Sequence, residues 1–168
     1  TGFATINFDL WPAASKAILV TLMFVGACAG STGGGFKISR LLILCKAIPK
    51  QLSLVIHPRE VKVIRMDGKP IDHNTLRSTN VYLAIYFFIL LVSTLLISVD
   101  NFNLTTNFTA VASTLNNIGP GLDGVGPTRN FGMYSDFSKF VLMFDMLAGR
   151  LELYPLLILF MPSLWRRK

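Results

Sequence analysis

Residues Val81 to Val99 read VYLAIYFFILLVSTLLISV, nineteen positions without a formal charge. As a helix rising 1.5 Å per residue, the run is about 28 Å long, close to the ~30 Å hydrocarbon core of a bilayer. It has no polar stripe, whereas a helix on the surface of a soluble domain shows one. The run predicts a transmembrane helix.

The neighbouring segments extend this pattern. Toward the N-terminus, an apolar run begins near Ala13 and continues past Leu44. As one helix it would be about 50 Å long. Gly30-Ser31-Thr32-Gly33-Gly34-Gly35 interrupts it, and consecutive glycines are poor helix formers. The run therefore predicts a membrane helix broken near one leaflet. Toward the C-terminus, Leu104 to Leu115 (LTTNFTAVASTL) has a helical pattern but is too short to span. Asn117-Ile118-Gly119-Pro120-Gly121 follows it. A half-spanning helix followed by irregular Gly/Pro backbone is a re-entrant loop, tolerated at membrane depth only where protein or water satisfies it. A last apolar run, Phe140 to Met161, contains Asp145, Arg150 and Glu152. From Val81 onward the order is helix, pore helix, loop, helix, the hairpin used by cation channels. The fold class is an all-α integral membrane protein built from helix–pore-helix–helix repeats of potassium-channel-like design.

Composition agrees. The 168 residues are 52% hydrophobic with a mean hydropathy of +0.54, yet carry a net charge of +7. Lys37, Arg40, Lys46, Lys50, Arg59, Lys62, Arg65, Lys69 and Arg77 crowd one connection, and Arg166, Arg167 and Lys168 crowd the C-terminus. The opposite side has Lys16, Arg129 and Lys139 among Asp9, Asp100, Asp123 and Asp136. The positive-inside bias puts the basic connection and the C-terminus in the cytoplasm. A nucleic-acid binder would string its basic residues among aromatics on a soluble fold, so no nucleic-acid partner is expected. Three segments result: 1–48, which holds the broken inner helix; 49–78, a basic cytoplasmic loop; and 79–168, a helix–pore-helix–helix repeat with a cytoplasmic C-terminus. A trace of repetition supports the division. Ser15-Lys16 precedes Met23 and Gly26 at the same offsets at which Ser138-Lys139 precedes Met146 and Gly149. The chain opens on Thr-Gly-Phe without an initiator Met and reads as a segment of something longer.

Each motif has a plain reading and a functional one. Gly-Pro-Gly at 119–121 is strong turn chemistry. Placed after a short helix among spanning helices, Gly119 reads instead as a filter residue. A potassium filter replaces the ion's water with backbone carbonyls, and glycine permits the backbone conformations that aim them. The glycine-rich segment ending at Lys37 is not a phosphate loop, because Phe36 stands between Gly35 and Lys37 and no strand precedes it. It reads as a flexible intramembrane segment able to block a path beneath the filter, or as close helix packing through small residues. Arg150 inside an apolar run is costly and carries a function by default. It either contacts carbonyls of the glycine-rich segment or forms an ion pair with a carboxylate such as Asp145 or Glu152. Cys28 and Cys45 would lie roughly 25 Å apart along a helix, too far for a disulfide, and read as packing residues. His57 and His73 lack zinc-ligand neighbours. The sequons at Asn103 and Asn107 are discounted, lying at the membrane edge and in the pore helix. No catalytic constellation is present, so the chain is not expected to be an enzyme or to hold a cofactor.

FVGACAGSTGGGF (Phe24 to Phe36), TLNNIGPGL (Thr114 to Leu122) and LAGRLEL (Leu147 to Leu153) together resemble the Trk/Ktr/HKT superfamily of potassium transporters, most closely its TrkH/TrkG branch. Thr1-Gly2-Phe3 is similar to the end of the third filter. The resemblance implies four helix–pore-helix–helix repeats around one pore, of which this chain carries the end of the third and the fourth. It implies that Thr1, Gly2, Asn117, Ile118 and Gly119 line potassium sites and that Gly33, Gly34, Gly35 and Arg150 form the gate. It further implies partners: the N-terminal half of the same transporter, a second copy in a homodimer, membrane lipid, and a cytosolic nucleotide-binding TrkA-type regulator. That regulator would meet the basic Lys46–Arg77 loop, which contains Asp67-Gly68. The location implied is the bacterial inner membrane. The first two repeats and the third pore helix are absent, so this segment alone should not conduct.

Two functions compete. One is a potassium pore subunit with carbonyl-coordinated cations and a glycine-loop gate. The other is part of a membrane-embedded receptor or enzyme that binds an anionic or lipid ligand through Arg150.

Overall fold

The computed structural model describes residues 4–28, 30–31, 33–59, 63–66, 68–151 and 158. Among them are five α-helices: α1 (Ala13–Phe24), α2 (Ile38–Ile56), α3 (His73–Ile97), α4 (Leu104–Leu115) and α5 (Asp136–Leu151). The α2–α3 connection holds a two-stranded antiparallel hairpin, β1 (Arg65–Met66) with β2 (Lys69–Pro70).

α3 is the helix long and apolar enough to cross a membrane. It starts at His73, eight residues before the uncharged run, so its first two turns carry the basic end of the connection. Its buried positions, Thr79, Tyr82, Tyr86, Leu90, Ser93 and Ile97, recur every three or four residues and form one stripe. That stripe packs on α4 and α5. α4 is enclosed: from Thr106 onward nearly every residue is buried, including Asn107, Thr109, Ser113 and Thr114. Asp145 on α5 is fully buried and accepts a 2.7 Å hydrogen bond from Ser93. Meanwhile Phe88 and Leu95 on α3 are 68% and 73% exposed, and Phe140 and Leu147 on α5 are also exposed. Polar side chains thus share the interior with an apolar core, while large apolar side chains stand exposed on the outer faces.

The first apolar run breaks earlier than its glycines suggest. α1 ends at Phe24 and α2 begins at Ile38, and the described residues between them are not helical. The cause is tertiary. Val25 and Phe36 form a parallel bridge, Gly26 N–H donates to Phe36 O at 2.5 Å, and Ile38 N–H donates to Ala27 O at 3.1 Å. A Cβ at Gly26 would collide with the Phe36 carbonyl. The break is a loop pinched at its neck. The 49–78 segment, expected as a loop, is helical at both ends, because α2 continues through Pro49 to Ile56 and α3 begins at His73. Cys28 and Cys45, expected as packing residues, are both free and exposed on this chain.

The repeat trace has a structural counterpart. Ala13 and Asp136, at matching offsets, are the first residues of α1 and α5. α1 stops two residues before Gly26, whereas α5 runs through the corresponding Gly149.

Candidate functional site

The site is assembled at the C-terminal end of α4. The helix closes with Asn116 as its last partly helical residue and Asn117 in the left-handed region at φ +55°. Asn117 N–H donates to Thr114 O at 3.1 Å, and Ile118 N–H to Ser113 O at 2.9 Å. This pair of reversed bonds stops a helix by the Schellman arrangement, with asparagine tolerating the left-handed position usually given to glycine. Gly119 follows at φ +114°, a conformation open to glycine and penalised for any residue with a Cβ.

The returning backbone is tied to the polar face of α4. Leu122 N–H donates to Thr109 Oγ1 at 3.0 Å, and Gly124 N–H to Thr106 Oγ1 at 3.2 Å. Thr106 Oγ1 itself donates to Asp123 Oδ2 at 3.0 Å. Asp123 N–H reaches the Asp9 carboxylate at 3.0 Å, which joins the N-terminal stretch to the same loop. With those N–H groups engaged, the carbonyls of Asn117, Ile118, Gly119 and Pro120 accept no hydrogen bond among the described residues. Asn117, Ile118 and Pro120 are partly exposed on this chain and Gly119 is exposed, so these oxygens face open space rather than a packed interior. Asn117, Ile118 and Gly119 also line a cleft of about 530 Å³ with Ser113, Thr114 and Met146.

The pinched loop lies directly against this end of α4. A Cβ at Gly34 would stand 2.5 Å from the Asn116 carbonyl oxygen and 3.0 Å from Asn117 Nδ2. Gly35, at φ +79°, would place one 2.6 Å from Asn116 Oδ1. Two expected gate residues therefore abut Asn116, and one of them also abuts Asn117, the first residue of the expected filter strand. Gly33 turns elsewhere, toward Ala27 and Ser31. The buried Lys37 folds its ammonium back to donate to the carbonyls of Ser31 and Gly33, supplying donors that irregular membrane backbone lacks. Arg150 is exposed on the last turn of α5. Its neighbour Gly149 meets the C-terminal end of α4, where a Cβ would collide with the Leu115 carbonyl and lie 2.8 Å from Asn117 Nδ2. Asp145, one candidate partner for Arg150, is engaged by Ser93 instead. Thr1, Gly2 and Glu152 lie outside the described residues.

Sequence reasoning missed Asn116, Tyr86 and Gly149 as site residues. Asn116 Oδ1 accepts a 2.8 Å hydrogen bond from the Tyr86 hydroxyl, and its Nδ2 donates to Ala112 O at 2.7 Å. A tyrosine in an otherwise apolar run was the available signal, since a buried phenol hydroxyl usually has a partner.

Comparison with known proteins bears on this arrangement. A family model described as TrkH, cation transport protein, matches residues 1–167. The Trk system potassium uptake protein TrkH of Vibrio parahaemolyticus is 38% identical over 165 residues, which are 98% of this chain and 34% of that protein. The protein of the same name from Escherichia coli K12 is 36% identical over the same shares, and TrkG of that strain is 32% identical. The chain thus spans about a third of the length of the curated relatives it matches. The crystal structure of the potassium transporter TrkH from Vibrio parahaemolyticus superposes with a TM-score of 0.87 at 38% identity, over 98% of this chain and 35% of that one. A mostly helical bundle with an apolar surface, a short enclosed α4 and similarity along nearly the whole of this chain converge on one assignment: this chain belongs to the TrkH family of cation transport proteins, which are all-α membrane proteins.

Proposed function

We propose that the chain is the C-terminal part of a Trk-type potassium uptake subunit, with Asn117, Ile118 and Gly119 lining potassium sites. The observation that carries this reading is the run of carbonyls from Asn117 to Pro120, at the end of a buried short helix, that accept no hydrogen bond among the described residues. A carbonyl filter requires oxygens left available to replace water. Thr1 and Gly2 would contribute a second filter strand, and the N-terminal portion of the same polypeptide the remainder. Gly33, Gly34 and Gly35 act as the gate with Arg150. The contact of Gly34 and Gly35 with Asn116 and Asn117 supports placing that gate next to the filter. Potassium is the transported ligand, and no cofactor is required. The subunit works as a homodimer in the bacterial plasma membrane. Its basic 49–78 connection and C-terminus face the cytoplasm, where a TrkA-type nucleotide-binding regulator docks.

The test is radioactive rubidium uptake by the whole transporter in a host without its own potassium uptake, comparing wild type with Gly119→Ser at equal membrane expression. Serine at φ +114° is strained, so uptake should fall or shift toward sodium. Unchanged uptake and selectivity would remove Gly119 from the filter. No uptake by wild type, with its regulator present, would redirect attention to an anionic or lipid ligand at Arg150.

A further inference from the structure

The structure assigns Tyr86 the role of a positioning residue that ties the pinched glycine loop to the filter end of α4, a role that rests on the filter reading above. Tyr86 sits midway along α3 and is 3% exposed. Its ring lies 6.4 Å, edge-on, from Phe24, the last residue of α1, and 6.4 Å from Phe36 in the neck of the loop. One side chain therefore touches both ends of the break. Tyr82 stacks beneath it at 6.4 Å and also meets Phe36, and the Arg40 guanidinium of α2 lies 4.0 Å over the Tyr82 ring. The aromatic cluster thus spans α1, the loop neck, α2 and α3.

The hydroxyl carries the link onward. It donates to Asn116 Oδ1, the same oxygen that abuts Gly35. The other end of that amide is spent on Ala112 O. Asn116 is buried, so no solvent can replace the phenol as donor. The Asn116 side chain is held at three points, by its own helix, by α3 and by the loop. The next residue is Asn117, where the backbone leaves the helix and the carbonyls proposed to line the potassium sites begin. If the hydroxyl is removed, the amide loses the donor that fixes its rotation, and the start of the carbonyl run loses its reference to the loop. A carbonyl filter discriminates by the number and placement of its ligands, so the loss is read in selectivity before it is read in folding.

The experiment measures the ratio of rubidium to sodium uptake by the whole transporter in a host without its own potassium uptake. Tyr86→Phe, Asn116→Ala, the double variant and Gly119→Ser are compared. The ratio does not depend on how much transporter reaches the membrane, and Phe keeps every ring contact. Tyr86→Phe should lower the ratio about five- to tenfold, the weight of one buried hydrogen bond. Asn116→Ala should lower it at least as far, and the double variant should fall no further than Asn116→Ala alone. A Tyr86→Phe ratio equal to wild type overturns the proposal, as does a double variant whose losses multiply. If Tyr86→Phe gives no measurable uptake, Asn116→Ala decides, with an unchanged ratio overturning the proposal and a lowered one supporting it. A shift in Gly119→Ser without one in Tyr86→Phe rejects the positioning role and leaves the filter standing. No shift in Gly119→Ser rejects the filter and the positioning role with it.

Discussion

At the scale of single residues, two kinds of glycine are present, and they should respond differently to the same substitution. Gly149 has ordinary backbone but no space, since a methyl group would strike the Leu115 carbonyl of α4. Gly30 has open space but φ +82°. Gly149→Ala must push α5 off α4, an overpacking cost of about 1–3 kcal/mol. Gly30→Ala incurs only the left-handed backbone penalty, about 1–2 kcal/mol, and incurs it in a loop rather than in the bundle. Thermal melts of the detergent-solubilised transporter should show a clearly lower midpoint for Gly149→Ala and a bundle transition little changed for Gly30→Ala. Equal midpoints for wild type and Gly149→Ala would mean that α5 does not seat against α4. Of these two glycines, only Gly149 was marked by the repeat trace, and nothing in the sequence showed what it meets. The same holds for Asn116, whose neighbours come from segments some thirty and eighty residues away. Gly119 was legible because its conformational demand is local.

At the scale of elements, α4 was readable to its ends. Asn103 and Asn116 flank an uncharged twelve-residue pattern, and helix boundaries follow such local signals. α3 and the break were less readable. The start of α3 lies among charged residues outside the apolar run, and the break begins where Val25 meets Phe36, a pairing that no periodicity announces. The connection from α4 to α5 is held by Tyr134, whose hydroxyl donates to the buried Asn107 Oδ1 at 2.9 Å. Burial, and secondarily the charge of Asp100, push the Tyr134 phenol up to about 12. Between pH 10 and 12 the unfolded chain gives up this proton while the folded chain keeps it. Stability from this group is therefore complete below pH 10 and is lost as pH rises through that interval. Tyr134→Phe leaves Asn107 Oδ1 without its donor, at a cost of about 1–3 kcal/mol. Melting midpoints across pH 8 to 12 should show the variant lower throughout and less steep above pH 10. Parallel curves would assign the alkaline loss to other groups.

At the scale of the whole molecule, polar side chains are collected around α4 and apolar ones are turned outward. Leu91, near the middle of the uncharged 81–99 run, is 61% exposed in this chain. Leu91→Arg should cost about 2.5–3.5 kcal/mol on insertion, and membrane accumulation of the transporter should fall severalfold by immunoblot. Accumulation equal to wild type would place Leu91 at water rather than at lipid or at another segment of the protein. The architecture was legible at this scale because long apolar runs and a charge asymmetry are properties of the whole sequence. What was not legible is how the first run keeps its course between the end of α1 at Phe24 and the start of α2 at Ile38. The bridge at Val25 and Phe36, with the hydrogen bonds beside it, brings the end of α1 and the start of α2 back to one point. The excursion is thereby decoupled from the rods on either side. Residues can be added to or taken from the excursion without shifting the register of α1 against α2, so the loop that abuts the end of α4 can be lengthened or trimmed while its frame stays fixed.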